Sequence, residues 1–149
     1  MKHKVVILVI MSLVLILGNL GCGFMNKNEI KIKEIFSQKE DEYYIYFYKD
    51  DCPYCDMVTE EIKLLEQGNI KVYKINLSKK NNQLIGRGYE NGQGSNGKFY
   101  VDGISKYDEL YISIAPTIIK ISRNKESLDK EASYIAGGSR EIIEMFSTD

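Results

Sequence analysis

Apolar positions recur along this chain with two periods, and each change of period marks the end of an element. Residues 43–48, YYIYFY, are an aromatic and β-branched run bounded by charges, which predicts a buried strand. From Pro53 to about Gln67, Met57, Val58, Ile62 and Leu65 fall at helical spacing, with Gly68 as the stop and Pro53 suited to a first turn that needs no N–H. Residues 70–77, IKVYKINL, set Ile70, Val72, Tyr73 and Ile75 against Lys71 and Lys74 and predict a second strand. Upstream, EIKIKEIFSQKE puts Ile32, Ile35 and Phe36 on one helical face, which predicts a surface helix.

The second half follows the same logic after a polar interruption. Residues 78–98 are rich in Asn and Gly, and four of the chain's twelve glycines fall between Gly88 and Gly97, which predicts a turn or loop. KYDEL then predicts a short helix, Thr117 to Ile121 a strand, and SYIAGG a strand ending in two glycines. SREIIEMFS predicts an amphipathic final helix with Ser139 as its N-cap. No internal repeat is present. Helices alternating with strands predict an α/β domain with a partly parallel sheet.

The first 22 residues obey neither period. A basic start, Lys2 and Lys4, precedes thirteen residues from Val5 to Leu17 that are apolar except for Ser12, followed by small residues and Cys22. The apolar run is shorter than the ~20 residues of a spanning helix, so it reads as a secretory signal, with an uncleaved membrane anchor as the alternative. Both readings place the domain outside the cytoplasm. The organisation expected is a leader or anchor over 1–22, a tether over 23–28 and one domain over 29–149. Cys22, after Leu20 and Gly21, resembles the lipid-modified cysteine of bacterial lipoproteins, although Asn19 stands where that family usually has Leu. Three cysteines are an odd number, and lipid attachment at Cys22 leaves a matched pair.

Composition narrows the function without naming it. At 44% hydrophobic and 28% charged, the chain has the balance of a folded protein. The net charge is −1, about −3 once Lys2 and Lys4 are set aside, and no basic patch with interleaved aromatics is present, so no nucleic-acid partner is expected. A monomer is expected by default.

Chemistry concentrates in YKDDCPYCDM, residues 48–57. Cys52 falls at the predicted strand-to-helix junction, where free backbone N–H groups favour a thiolate, and Cys55 is placed to resolve a mixed disulfide formed by Cys52. Zinc needs more ligands than one C-x-x-C supplies, and the single histidine, His3, is in the leader, so no metal and no cofactor are expected. A structural disulfide stays open as an alternative, though a bridge over two residues constrains little chain entropy. Pro116, in IAPT, is one of two prolines, and an X-Pro bond there could turn cis and bring backbone beside the cysteines.

Taken together, FYKDDCPYC, KINL, APTIIKIS and SYIAGGSREIIEMF resemble the thioredoxin superfamily over about residues 29–147. That resemblance implies a thioredoxin-like α/β fold, a central mixed β-sheet flanked by helices, with an insertion over about 79–111 before the cis-Pro strand. It implies Cys52 as the attacking thiol, Cys55 as the resolving thiol, and Pro53, Tyr54, Ala115 and Pro116 in contact with the substrate. The Pro-Tyr pair is the glutaredoxin dipeptide, and Lys49 with GGSRE faintly resembles a glutathione site; the leader and the insertion speak against glutathione. Among exported relatives the chain is similar to the thioredoxin-like accessory proteins of Gram-positive bacteriocin systems.

Three positions depart from the family pattern. Tyr46 stands where many thioredoxins have a buried Asp, Asp51 where they have Trp, and Asp56 where they have Lys. Asp50, Asp51 and Asp56 therefore crowd the thiols, and their charge opposes thiolate formation. The function expected is a membrane-tethered thiol-disulfide oxidoreductase on the outer face of a bacterial cytoplasmic membrane, acting on protein cysteines and recharged by a redox partner. A non-catalytic accessory or chaperone-like binding module is the alternative, and a glutathione-dependent reductase a third.

Overall fold

Along the strand β1 (Glu42–Tyr48) the side chains divide cleanly: Tyr43, Ile45 and Phe47 enter one core, while Tyr44, Tyr46 and Tyr48 face another. Both faces are thus covered, which is why the run carries no polar alternation. The computed structural model describes residues 28–82 and 100–147. The leader, Cys22, the tether up to Lys27 and most of the Gly-rich stretch lie outside them.

Four strands form one mixed sheet in the order β2-β1-β3-β4. The second strand, β2 (Lys71–Asn76), runs parallel to β1; β3 (Thr117–Arg123) is antiparallel to β1, and β4 (Lys130–Gly137) antiparallel to β3. Between β1 and β2 lie helices α1 (Pro53–Asp56) and α2 (Thr59–Gln67), and β4 leads into α3 (Gly138–Phe146). One parallel pair with an intervening crossover, two antiparallel pairs and a final helix make the thioredoxin-like arrangement that the sequence resemblance implies.

The helices share one face of the sheet. Val58, Ile62 and Ile142 pack there against Tyr46, Val72, Ile118 and Ala136. On the other face Ile32, Ile35, Val101, Leu110 and Ile112 cover Tyr43, Ile45, Phe47, Ile75, Ile119 and Ile121. Each fully buried isoleucine contributes roughly 1.5–3 kcal/mol, so this second layer is a major part of the core. A β-bulge at Ile135 lets the same strand serve both layers: Tyr134 and Ala132 stay on the far face, Ala136 turns to the helices, and Ile135 is left exposed.

Both outer edges of the sheet are partly covered. Lys74 of β2 exchanges backbone bonds with Asn28 and Ile30, each at 2.9 Å. Beside β4, Ala132 bonds Gly103 and Ile104 at 2.9 and 2.8 Å, and the Tyr134 N–H donates to the Asp102 carboxylate at 2.6 Å. The described part of the 79–111 segment thus seals an edge and a core face. Its KYDEL stretch is a turn and not a helix.

Three other elements differ from the sequence pattern. The predicted helix around Ile32–Phe36 shrinks to one 3-10 turn, Ile32–Glu34, whose Ile32 N–H donates to the buried Asn82 side chain at 3.0 Å. The predicted helix 53–67 breaks at Val58, whose backbone leaves the helical region, so Val58 and Ile62 point inward while Met57 is 58% exposed. The final helix is entered from Gly137 without a side-chain cap, and Ser139 lies inside it.

Candidate functional site

The C-terminal end of β1, the N-terminal end of β3 and the start of α3 converge at one end of the sheet, and the two domain cysteines sit there. Asp51, with φ 51°, turns the chain from the strand into α1; the left-handed region is one Asp tolerates. Cys52 and Cys55 are joined as a disulfide across α1, with Cα atoms 5.2 Å apart. Cys52 is the N-cap, and its sulfur accepts the Cys55 N–H at 3.2 Å. Because α1 is a single turn, the stabilisation offered to a Cys52 thiolate is this local N–H rather than the dipole of a long helix.

The two sulfurs are not equivalent. Cys52 is half-buried at the surface, whereas Cys55 is 7% exposed and lies behind it. Attack from solvent therefore falls on Cys52, and Cys55 is sheltered as a leaving and returning thiolate.

Opposite Cys52 stands the loop before β3. The Ala115–Pro116 bond is cis, and the Ala115 carbonyl oxygen lies 4.0 Å from the Cys52 sulfur. This loop is held from two sides: the Thr117 hydroxyl donates to the Ile114 carbonyl at 2.8 Å, and the Gly138 N–H donates to the Pro116 carbonyl at 2.7 Å. Pro53 and Tyr54 are exposed on the turn between the cysteines, and Pro116 is buried. All six domain residues singled out by sequence therefore meet at one place, while Cys22 lies outside the described residues.

A polar network fixes the loop that carries Asp50 and Asp51. Buried Asn76 donates to the Asp50 carboxylate at 2.7 Å and accepts the Ser78 N–H at 2.9 Å, and the Ser78 hydroxyl accepts the Asp50 N–H at 2.9 Å. Asn82, also buried, donates to the Asn76 carbonyl at 3.0 Å. Sequence reading missed this network, whose only local signal is Asn76 ending an otherwise apolar strand. It also missed Ile114, 41% exposed beside the Cys52 sulfur's carbonyl neighbour, although an isoleucine directly before Ala-Pro is a visible oddity.

Behind Cys55 a cleft of about 360 Å³ opens between β1 and α2, lined among others by Tyr46, Tyr48, Lys49 and Asp56. Tyr46 and Tyr48 stack in it with centroids 5.8 Å apart. Burial, and then the neighbouring Tyr48 and Asp56, push the Tyr46 phenol up to about 12, so it stays protonated. Lys74 and Glu66, paired at 2.8 Å, border the same cleft. Among the described residues no group of three or more His, Cys, Asp or Glu side chains is arranged to hold a metal, and no helix is long and apolar enough to cross a membrane.

A half-exposed sulfur backed by a buried one, beside a fixed carbonyl, is an arrangement suited to thiol-disulfide exchange. Among solved structures the chain is similar to thioredoxin f2 of Chlamydomonas reinhardtii, at 16% identity and a TM-score of 0.46, over 80% of this chain and 92% of that one. No family model matches the sequence. No curated protein matches it.

Proposed function

We propose that this protein is an extracytoplasmic, membrane-tethered thiol-disulfide oxidoreductase acting on protein cysteines. One observation carries the redox reading: the Cys52–Cys55 disulfide presents Cys52 at the surface and shelters Cys55, with the Ala115 carbonyl 4.0 Å from the Cys52 sulfur. In the reducing direction the Cys52 thiolate attacks a substrate disulfide, a substrate thiolate leaves, and Cys55 then attacks the Cys52 sulfur and releases the second substrate thiol. The oxidising direction is the same path reversed. The tether rests on the leader sequence, with Cys22 as the proposed lipid attachment site, and a separate redox partner recharges the pair.

The test is Cys55→Ser. A catalytic pair accumulates mixed disulfides between Cys52 and other proteins in this variant, visible as thiol-sensitive adducts. A non-catalytic binding module gives none, and the Cys52–Cys55 disulfide of the unsubstituted protein then resists reduction until the domain unfolds. The equilibrium potential then sets direction: a value near about −270 mV marks a reductase, one toward about −120 mV a disulfide donor.

A further inference from the structure

The surface around Cys52 has a definite chemical character. Tyr54 is 63% exposed and Met57 58%, one turn apart on the same side of α1, and Ile114 is 41% exposed across from them. These apolar side chains belong to the turn that carries the disulfide and to the loop whose Ala115 carbonyl lies 4.0 Å from the Cys52 sulfur. Three carboxylates are interleaved with them: Asp50 and Asp51 directly before Cys52, and Asp56 directly after Cys55, all exposed. Asp50 is aimed by its bond from Asn76, and none of the three is in an ion pair among the described residues.

The lysines of the same region are engaged mainly by other carboxylates, although Lys79 also feels the charge of Asp50. Lys63 is paired with Glu60, Lys74 with Glu66 and Lys79 with Glu29. Within the stretch that bears the disulfide, residues 49–57, Lys49 is set against Asp50, Asp51 and Asp56, so the turn around the two cysteines is acidic on balance. An acidic rim with apolar contacts complements a cation carried beside an apolar side chain, and it repels acidic chains.

Resting on the redox reading above, we propose that the substrates are polypeptide segments whose reacting cysteine is flanked by basic residues and an apolar side chain. With the protein oxidised, a peptide thiolate attacks the Cys52 sulfur, and the Cys52–Cys55 bond breaks with Cys55 leaving as thiolate. The peptide's second thiolate then attacks the peptide sulfur of the mixed disulfide and displaces Cys52. The peptide dithiol loses two electrons and becomes a disulfide, the protein gains them, and the two protons given up by the peptide thiols are matched by those that the Cys52 and Cys55 thiolates take up from solvent.

The full-length oxidised chain in neutral detergent is mixed with three dithiol peptides that differ only in residues flanking one cysteine: arginine, serine or glutamate. Each rate is divided by that peptide's rate with a neutral small-molecule disulfide, which removes differences in thiol ionisation. The arginine peptide is expected to react about tenfold faster than the glutamate peptide at low salt, with the gap closing near 1 M salt, where screening reaches about 3 Å. Asp51→Asn with Asp56→Asn is expected to narrow the same ratio, whatever it does to each rate. Equal rates, or faster glutamate peptide, with the serine peptide still reacting, overturn the charge preference and leave the oxidoreductase standing. Failure of all three dithiol peptides, together with failure of the reduced protein to open the same three peptides as disulfides, removes the redox reading, and this proposal with it.

Discussion

Asn76 ends β2 with its side-chain amide 2.7 Å from the Asp50 carboxylate, so the strand beside β1 holds the loop that delivers Cys52. The tie is buried on one side only: Asn76 is 3% exposed, while Asp50 is at the surface. An amide fits because it donates to Asp50 and accepts from the Ser78 N–H at the same time.

Asn76→Ala therefore leaves the Ser78 N–H without its acceptor and frees the Asp50 loop. A stability loss of about 1–3 kcal/mol is expected from urea denaturation. If the loop geometry matters to the chemistry, the rate of exchange at Cys52 falls as well under conditions where the variant is fully folded. Unchanged stability would mean that water replaces the amide without cost.

Gly137 and Gly138 are required for different reasons. A Cβ on Gly137 would collide with the Tyr134 hydroxyl, which is fixed by its bond to Glu141 at 2.7 Å, and would crowd Ile114 at 3.3 Å. Gly138 has φ 78°, and a Cβ there would meet Ile114 at an ordinary contact distance of 3.6 Å, so alanine costs backbone strain, about 1–2 kcal/mol. Gly138→Ala is expected to lower stability by that amount. Gly137→Ala is expected to cost more and to displace Ile114 in the loop beside the Cys52–Cys55 disulfide, read as a change in exchange rate.

The sheet was legible because its strands are recorded in their own residues: β1 carries an unbroken aromatic and β-branched run, β2 sets apolar residues against lysines, and β3 is rich in isoleucine. The site was legible for a similar reason, since Cys52, Pro53, Tyr54 and Cys55 are contiguous and Pro116 is conspicuous in a chain with two prolines. What sequence reading missed depends on contacts made across the fold. The break at Val58 follows from burying Val58 and Ile62 together while Met57 turns out, and an apolar methionine at helical spacing conceals it. The turn at Ile32 is shaped by Asn82, fifty residues away. The bulge at Ile135 arises from one strand serving two cores, and no local pattern records that.

Stability is expected to fall at alkaline pH. Burial holds Tyr46 and Tyr73 at about 12, with Tyr48 and Asp56 adding to the first and Glu40 to the second, and burial raises Tyr43 and Tyr134 as well. In the unfolded chain these phenols ionise near about 10. Below that value both states keep the proton and the folded state has its full stability. Above it the unfolded chain releases protons that the native state retains, so stability drops as pH rises through the folded values. Urea midpoints measured from about pH 8 to about pH 11 check this. Tyr46→Phe keeps the ring and removes one titrating group, so its alkaline loss should be shallower; an identical loss would show that Tyr46 is not a contributor.

Asp51 and Asp56 flank the thiols in sequence, and their charge acts on the reduced protein more than on the disulfide, which carries none. Neutralising both with asparagine should let Cys52 ionise more easily and so stabilise the reduced form. The pair becomes more oxidising, by about 10–20 mV if each charge acts through a largely aqueous dielectric. The shift should be present where Cys52 is ionised and vanish at low pH, where thiol and disulfide are both neutral. It should also shrink in high salt. Asn is compatible with the left-handed backbone of position 51, so the substitution leaves the turn into α1 in place. Equilibration against a glutathione redox buffer across pH reads the effect directly. A shift that persists at low pH would point to altered packing around the turn rather than to charge.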